Sequence, residues 1–250
     1  MNKVLILITV FISLNINVYA QVIIGSGDSL FQNRIKLVES FMNRFNNREN
    51  LIGLFDSEML GSEKDSVYKA AQQFAKDATK SGAKLNFADT SWFAIATCAG
   101  KYKGKSVNFI LILNVETYGK DLYKWVVAKA QGDFFSLTPP KNDNTLITPL
   151  AHETNFMELS RIKAESILSV SQKRYELDQT AVFYTMINSG LLNIEYVSEL
   201  QFLFLQLPGW IFTIKEFERQ TYNAGWLITS FERINDKEKY NLLNNLYNEK

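Results

Sequence analysis

The sequence predicts an α+β protein in which helices precede curved antiparallel meander sheets, and in which this order occurs twice. The spacing of apolar residues changes from about 3.6 to 2 near Leu85, which is typical of helices giving way to strands. The same change recurs after a stretch at 136–150 that contains three of the four prolines. We therefore expect one helix-and-meander unit over 21–135, a linker, and a second unit over 151–250.

Composition excludes several classes of protein. The 250 residues are 46% hydrophobic and 13% aromatic, which is too apolar for an intrinsically disordered chain. One cysteine excludes an intrachain disulfide, and one histidine excludes a site built from several histidines. A formal net charge of +1 argues against electrostatic binding of nucleic acid, so no nucleic-acid partner is expected.

Residues 1–20 have the pattern of a cleavable signal peptide. Lys3 precedes an apolar run over 4–14, and small residues stand three and one positions before a cut between Ala20 and Gln21. The run is well short of the roughly 20 residues that span a bilayer, so no transmembrane segment is expected after cleavage. The sequence predicts a secreted or periplasmic protein, whose mature chain carries 26 basic and 26 acidic residues.

Two helices are predicted before the first strand. Asp28 or Ser29 can cap the first, which ends near Asn46, and the second runs over 65–81 and ends before Gly82. A short apolar connector over 51–60 is expected to pack against the core between them. The apolar positions of the first helix are Phe31, Ile35, Val38, Phe41, Met42 and Phe45. Those of the second are Val67, Ala70, Ala71, Phe74 and Ala78.

The first meander follows directly. Alternating apolar residues predict three strands at 92–102, 106–117 and 122–132, joined by short hairpin connections. The middle strand is apolar along one face, whereas its other face is apolar only at the centre. We expect the first face to be covered fully and the second partly.

The second half repeats this order. Thr154 can cap a helix, and another helix is expected over 177–189, ending at Gly190. Three strands are predicted at 197–207, 210–219 and 225–234, followed by a polar helix over 236–250.

A helix pair followed by a curved meander, with a tryptophan near the start of a late strand, resembles the nuclear-transport-factor-2-like group of the cystatin-like α+β folds. The resemblance covers 28–132 and extends less well to 154–234, and it rests on the order of elements. It implies a sheet that wraps around a helix and leaves a conical cavity. Members of the group include isomerases, dehydratases and non-catalytic secreted domains, so the resemblance implies a fold and no catalytic residue.

Cys98 and His152 are the first candidate site residues. Cys98 lies among small residues on one strand face and is interpreted as a buried thiol, with a nucleophile, intermolecular pairing or metal binding as alternatives. His152 is interpreted as a polar residue before a helix, or as an acid–base group with Glu153. Position 156 is Phe, so the spacing of a metalloprotease helix is absent, and no metal ligands are predicted.

Three lysines, Lys101, Lys103 and Lys105, flank a turn with Tyr102 between them. Such a pattern can hold phosphate or single-stranded nucleic acid. We favour the alternative, a solvated edge that discourages strand pairing.

Aromatic residues near strand starts are the candidate binding residues. They can close a cavity or present a binding surface, and core packing is the alternative. The candidates are Trp92, Tyr118, Trp125, Trp210, Tyr222 and Trp226.

These observations favour a non-catalytic protein that binds a small molecule, a glycan or a protein, without a cofactor. One alternative is a small-molecule enzyme using the conical cavity, which predicts that Asp89, Glu116 or Asp121 faces inward. The other is a structural subunit of a cell-envelope assembly.

Overall fold

The computed structural model describes residues 38–119, 122–135 and 178–247. It confirms an α+β fold, with helices and one curved, unclosed, six-stranded antiparallel sheet. The predicted signal peptide and the start of the first helix fall within 1–37, outside the described residues. The linker, His152 and the helix beginning at Thr154 also lie outside them.

The described residues contain five helices, two 3-10 turns and six strands. The described part of helix α1 covers 38–46. The other helices are α2 (Ser57–Leu60), α3 (Ser66–Ser81), α4 (Gln179–Asn188) and α5 (Asp236–Tyr247), with 3-10 turns at Leu51–Leu54 and Asp133–Phe135. The strands are β1 (Trp92–Tyr102), β2 (Lys105–Gly119), β3 (Leu122–Gln131), β4 (Leu192–Phe204), β5 (Trp210–Phe217) and β6 (Gly225–Arg233).

Helix α3 has the predicted ends and a narrower buried face than predicted. Asp65 is its N-cap residue, and Gly82 ends it with a φ of 64°, a conformation that favours glycine. Val67 and Ala70 are predicted on the buried face but are exposed, because burial of this helix begins only at Ala71. The buried residues of the helix are Ala71, Phe74 and Ala78.

The two meanders form one sheet, where the sequence predicted separate sheets. The strand order is β3-β2-β1-β4-β5-β6, so β1 and β4 pair at the centre. Strand β4 begins at Leu192, five residues before the predicted start at 197. A Cβ at Gly100 of β1 would lie only 2.3 Å from the carbonyl oxygen of Asn193, so glycine permits this close approach.

The turn between β1 and β2 corrects one interpretation of the lysines. Lys103 and Gly104 have φ angles of 49° and 79°, as a two-residue hairpin turn requires. Because β1 and β2 are interior strands, Lys101, Lys103 and Lys105 lie beside a turn and do not protect a sheet edge. Lys101 Nζ instead lies 2.5 Å from Glu195 Oε1.

The described residues form two compact units, each drawing on both halves of the chain. The first comprises 38–97, 111–129 without 120–121, and 197–247; the second comprises 98–110, 130–135 and 178–196. In the core of the first, Phe45 of α1 stacks on Phe212, which stacks on Phe204. Phe74 of α3 contacts the edge of the same Phe212 ring. The core of the second is a ring cluster of Phe109, Phe134, Phe135 and Phe183.

A buried ion pair fixes the start of α2 within the first unit. Asp56 is 8% exposed, and its carboxylate pairs with Nη2 of Arg219 and accepts a hydrogen bond from the Glu58 backbone N–H at 3.0 Å. Nη1 of Arg219 also lies 2.9 Å from Glu58 Oε2. The connection between β5 and β6 is thereby tied to a segment more than 150 residues earlier in the chain.

Asn223 strengthens the same connection. Its Oδ1 accepts from the backbone N–H of Ser57 at 3.0 Å and from the Ser57 hydroxyl at 2.7 Å, and its Nδ2 donates to the Phe55 carbonyl at 2.6 Å. Phe55 also forms a parallel bridge with Ile228 of edge strand β6. The connector predicted to pack down over 51–60 does so, with Leu51, Leu54, Phe55 and Leu60 all buried.

Helix α5 packs through one apolar side. Leu242 and Leu246 are buried, the ring of Tyr247 lies 5.3 Å from that of Phe93, and its hydroxyl donates to the Thr90 carbonyl at 2.6 Å. In the parts of the chain that the structure describes, no helix combines the length and the apolar character needed to cross a membrane.

Candidate functional site

The predicted aromatic residues fall into a buried group and an exposed one. Trp92, Trp210 and Trp226 are 2%, 5% and 4% exposed, and Trp125 is half-buried. Tyr222 is 48% exposed. Tyr118 lies on β2, and its side chain is outside the described part of the structure.

Three of the predicted tryptophans meet in one cluster with Phe202. The Trp92 ring lies 4.7 Å from Trp125 and 5.7 Å from Phe202, and the Phe202 ring lies 5.1 Å from Trp226. Among the described residues, the indole N–H of Trp226 has no hydrogen-bond acceptor. Burial favours core packing for this cluster, and ligand binding by it stays a prediction.

Trp210 has a structural partner of its own. Its Nε1 donates to Asp77 Oδ2 at 3.2 Å, and Arg233 Nη2 lies 2.9 Å from the same oxygen. Burial acts to raise the pKa of Asp77, but hydrogen bonds from Gln73 and Trp210 and the charges of Arg233 and Lys80 leave it below its ordinary value. Trp210 thus links β5 to helix α3 by a polar contact as well as by packing.

Tyr222 belongs to the connection between β5 and β6. The guanidinium carbon of Arg219 lies 5.2 Å from the centre of the Tyr222 ring and 4.2 Å from that of Phe217. Arg219 therefore makes cation–π contacts with both rings while it pairs with Asp56, and these contacts stabilise the connection.

Two of the three carboxylates named for an enzyme have other partners in the structure. Oδ1 of Asp89 accepts from the backbone N–H of Ser91 at 2.7 Å and so caps the turn before β1. Glu116 is exposed and lies 3.2 Å from Lys124 Nζ. Asp121 lies outside the described residues.

Cys98 is a buried thiol, as the preferred interpretation held. It is 1% exposed, and burial raises the pKa of its thiol to about 11. Within the described part of the chain, no group of three or more His, Cys, Asp or Glu residues is placed to hold a metal ion.

We expect Cys98 to resist thiol reagents in the folded protein. At pH 8 a rise in pKa from 9.0 to about 11 lowers the thiolate fraction about a hundredfold, and burial adds steric protection. The reaction with Ellman's reagent should therefore be at least ~100-fold slower in buffer than in guanidinium chloride. Cys98→Ala supplies the blank, and equal rates in the two conditions would contradict a buried thiol.

An open cleft of about 680 Å³ lies in the first unit, where the chain leaves α1 and passes helix α3. Its lining combines basic and polar side chains with apolar ones, and within the described part of the chain it includes no carboxylate. The lining residues are Arg48, Asn50, Leu51, Ile52, Ala75, Lys76, Thr79 and Lys80.

Arg48 is fixed in this cleft by backbone carbonyls. Its Nη1 donates to Phe45 O at 3.1 Å and its Nη2 to Ala83 O, while its guanidinium carbon lies 4.9 Å from the centre of the Phe45 ring. Burial lowers the pKa of Arg48 from its ordinary value. Among the described residues no carboxylate pairs with it, so its charge is positioned without being neutralised.

The loop beneath the cleft is held in an uncommon conformation. Arg48 and Asn50 both have positive φ, 59° and 44°, a region that non-glycine residues rarely occupy. Asn46 stabilises the loop, because its side chain donates to Leu85 O at 2.8 Å and accepts from Leu85 N–H at 2.7 Å. These hydrogen bonds hold the loop, and with it the backbone of Arg48, in this conformation.

Lys76 and Lys80 supply the other two charges. They are four residues apart on helix α3, so they project from the same side of the helix, and both are exposed. Neither forms a close ion pair with any described residue, although the charge of Lys80 helps to lower the pKa of the Asp77 carboxyl. Three cations therefore line one concave surface, and none of them forms a close ion pair with a described residue.

Sequence reasoning missed this cleft. Lys76 and Lys80 could have been noted as neighbours on the polar side of a predicted helix, but such pairs are common on solvated helix surfaces. Nothing in the sequence indicates that Arg48 packs beside them.

Comparison with protein-family models, with curated proteins and with solved structures finds no match for this chain.

Proposed function

We propose that this protein is a secreted or periplasmic, non-catalytic binding protein whose cleft takes an anionic ligand. The observation that supports this proposal most is the set of three cations, Arg48, Lys76 and Lys80, around one cleft with no carboxylate among its described lining residues. Like charges held close together repel one another, and a bound anion relieves that repulsion.

Cavity size and preorganisation support binding at this place. A volume of about 680 Å³ is within the usual range for small-molecule sites. Arg48 is already held by two carbonyls, so little of its side-chain entropy is lost when a ligand binds. The balanced charge of the mature chain gives no long-range attraction, so the attraction is confined to the cleft itself.

The placement of the acidic side chains favours binding over catalysis. Asp89 is occupied in a local turn and Glu116 in a surface ion pair, so neither is aimed into the cleft. Asp56, the one buried carboxylate among the described residues, forms an ion pair with Arg219.

The test is a thermal-shift and calorimetric screen of organic and inorganic anions at constant ionic strength. We expect at least one anion to raise Tm, by an amount equivalent to about 2.7 kcal/mol at a concentration of 100 Kd. The double variant Lys76→Glu/Lys80→Glu should lower affinity for that anion at least ~10-fold, because two attractive charges become repulsive.

The matched control is Lys69→Glu/Lys237→Glu, which makes the same change in net charge at two lysines outside the cleft. It should retain the affinity of the unmodified protein. The proposal fails if no anion shifts Tm, or if both double variants lose affinity equally.

A further inference from the structure

The lining of the cleft is divided by chemistry into a floor and a rim. Leu51 is buried, and Ile52 and Ala75 are half-buried and pack against the core of the first unit. Lys76 and Lys80, which line the same cleft, are exposed and form its rim. A ligand that fills the cleft therefore meets hydrocarbon below and positive charge at the margin.

A small inorganic ion would use only half of this lining. Phosphate has no apolar surface, so bound near the lysines it would leave Ile52 and Ala75 in contact with water. An apolar body attached to the anion would cover these side chains and remove their surface from water. The methylene stems of Lys76 and Lys80 extend the apolar wall, since long basic side chains keep their stems on apolar surface and their charges in solvent.

Two polar side chains of the cleft are held in fixed orientations. Arg48 offers a fixed guanidinium, whose planar N–H groups match a carboxylate or phosphate in shape. Asn50 has its Oδ1 occupied by the N–H of Gly53 at 3.2 Å, so its side chain stays oriented at the loop. The cleft is thus complementary to a molecule with a charged group on a hydrophobic body.

We propose, on the basis of the function proposed above, that the ligand is a small amphipathic organic anion. Its carboxylate or phosphate group contacts Arg48, Lys76 and Lys80, and its apolar body covers Ile52 and Ala75. Cation and hydrocarbon contacts act together, so that neither a bare anion nor a neutral amphiphile binds as well.

The experiment compares three probes by isothermal titration calorimetry with the full protein. Octanoate has both the charge and the chain, inorganic phosphate has charge alone, and octan-1-ol has the chain alone. We expect octanoate to bind at least 10-fold more tightly than either of the other two. Lys76→Glu/Lys80→Glu should weaken octanoate binding at least 10-fold and leave octan-1-ol unchanged, whereas Lys69→Glu/Lys237→Glu should change neither.

A floor variant separates the two contributions. Ile52→Ser should weaken octanoate binding and leave phosphate binding unchanged, with far-UV circular dichroism and Tm confirming the fold. Phosphate binding as tight as octanoate binding, lost in Lys76→Glu/Lys80→Glu, would overturn the amphipathic ligand and keep the anion-binding function. Octan-1-ol binding as tight as octanoate, with no effect of the lysine variants, would overturn both. The absence of binding by all three probes would overturn the amphipathic ligand.

A further experiment distinguishes binding of a free anion from binding of a membrane headgroup. Co-sedimentation with vesicles of phosphatidylglycerol, against vesicles of phosphatidylcholine, should leave the protein in the supernatant at 0.15 M salt. Sedimentation with phosphatidylglycerol alone, abolished by Lys76→Glu/Lys80→Glu, would assign the cleft to a membrane surface and overturn a free small-molecule ligand.

Discussion

Replacing Asp56 by alanine is expected to lower the free energy of unfolding by about 3–5 kcal/mol. The side chains of Asp56 and Arg219 are only 11% and 16% exposed, so removal of the carboxylate leaves a largely buried guanidinium without its main partner. The same substitution removes the N-cap bond to the Glu58 N–H. Urea unfolding followed by circular dichroism measures the loss.

Glu58 provides the internal control for this prediction. Its side chain is 60% exposed, and it pairs with the same arginine at 2.9 Å, so Glu58→Ala should cost no more than about 1 kcal/mol. In addition, Asp56→Ala combined with Arg219→Ala should cost well below the sum of the two single changes, because the stranded charge is then absent. Equal effects of Asp56→Ala and Glu58→Ala would show that burial does not strengthen this pair.

Phe74→Ala is expected to lower the free energy of unfolding by about 3–5 kcal/mol, because it removes packing with several elements. The Phe74 side chain is fully buried at the centre of the first unit's core. Truncation leaves a cavity that the surrounding rings, held by several other elements, cannot close. The ring contacts are to Phe45, Phe55, Trp210, Phe212 and Phe231, with centroids 6.4, 5.3, 5.2, 5.4 and 5.9 Å away.

The measurement is again urea unfolding, with two comparison variants. Phe74→Leu keeps most of the volume and should cost less than Phe74→Ala, whereas Tyr240→Ala, at a side chain 63% exposed, should change stability by no more than about 0.5 kcal/mol. A small effect of Phe74→Ala with an unchanged denaturant slope would mean that the core closes around the missing ring.

Elements governed by local periodicity were predictable from the sequence. Alternation of apolar residues places β1, β2 and β3 within two residues of their observed ends, and Asp65 and Gly82 bracket helix α3 as expected. These signals depend on neighbours a few positions away. They can therefore be recognised in one sequence without knowledge of its tertiary contacts.

Pairing between distant segments was not predictable in the same way. Nothing near β1 or β4 specifies that they are partners, so the two meanders could not be assigned to one sheet. The early start of β4 was also missed, because Ile194 and Tyr196 are both exposed and give no buried alternation. Backbone contact with β1 extends the strand there, as the Lys103 N–H donates to Leu191 O at 2.9 Å.

The candidate site was missed for a related reason. Sequence reasoning gave weight to aromatic residues, three of which fill the core, and to lysines beside a hairpin turn, but not to the basic residues of the cleft. Arg48, Lys76 and Lys80 become a site only when the loop after α1 packs beside α3. Charge patterning along a chain does not record such proximity, whereas the structure does.

The central position of β1 and β4 affects how the protein is made. A ribosome releases β1, β2 and β3 well before β4, so during synthesis β1 has one row of backbone N–H and C=O groups with no strand to satisfy them. Until β4 is synthesised, that temporary edge is open to pairing with another nascent chain. Aggregation of this protein should therefore be most severe when translation pauses between the two meanders.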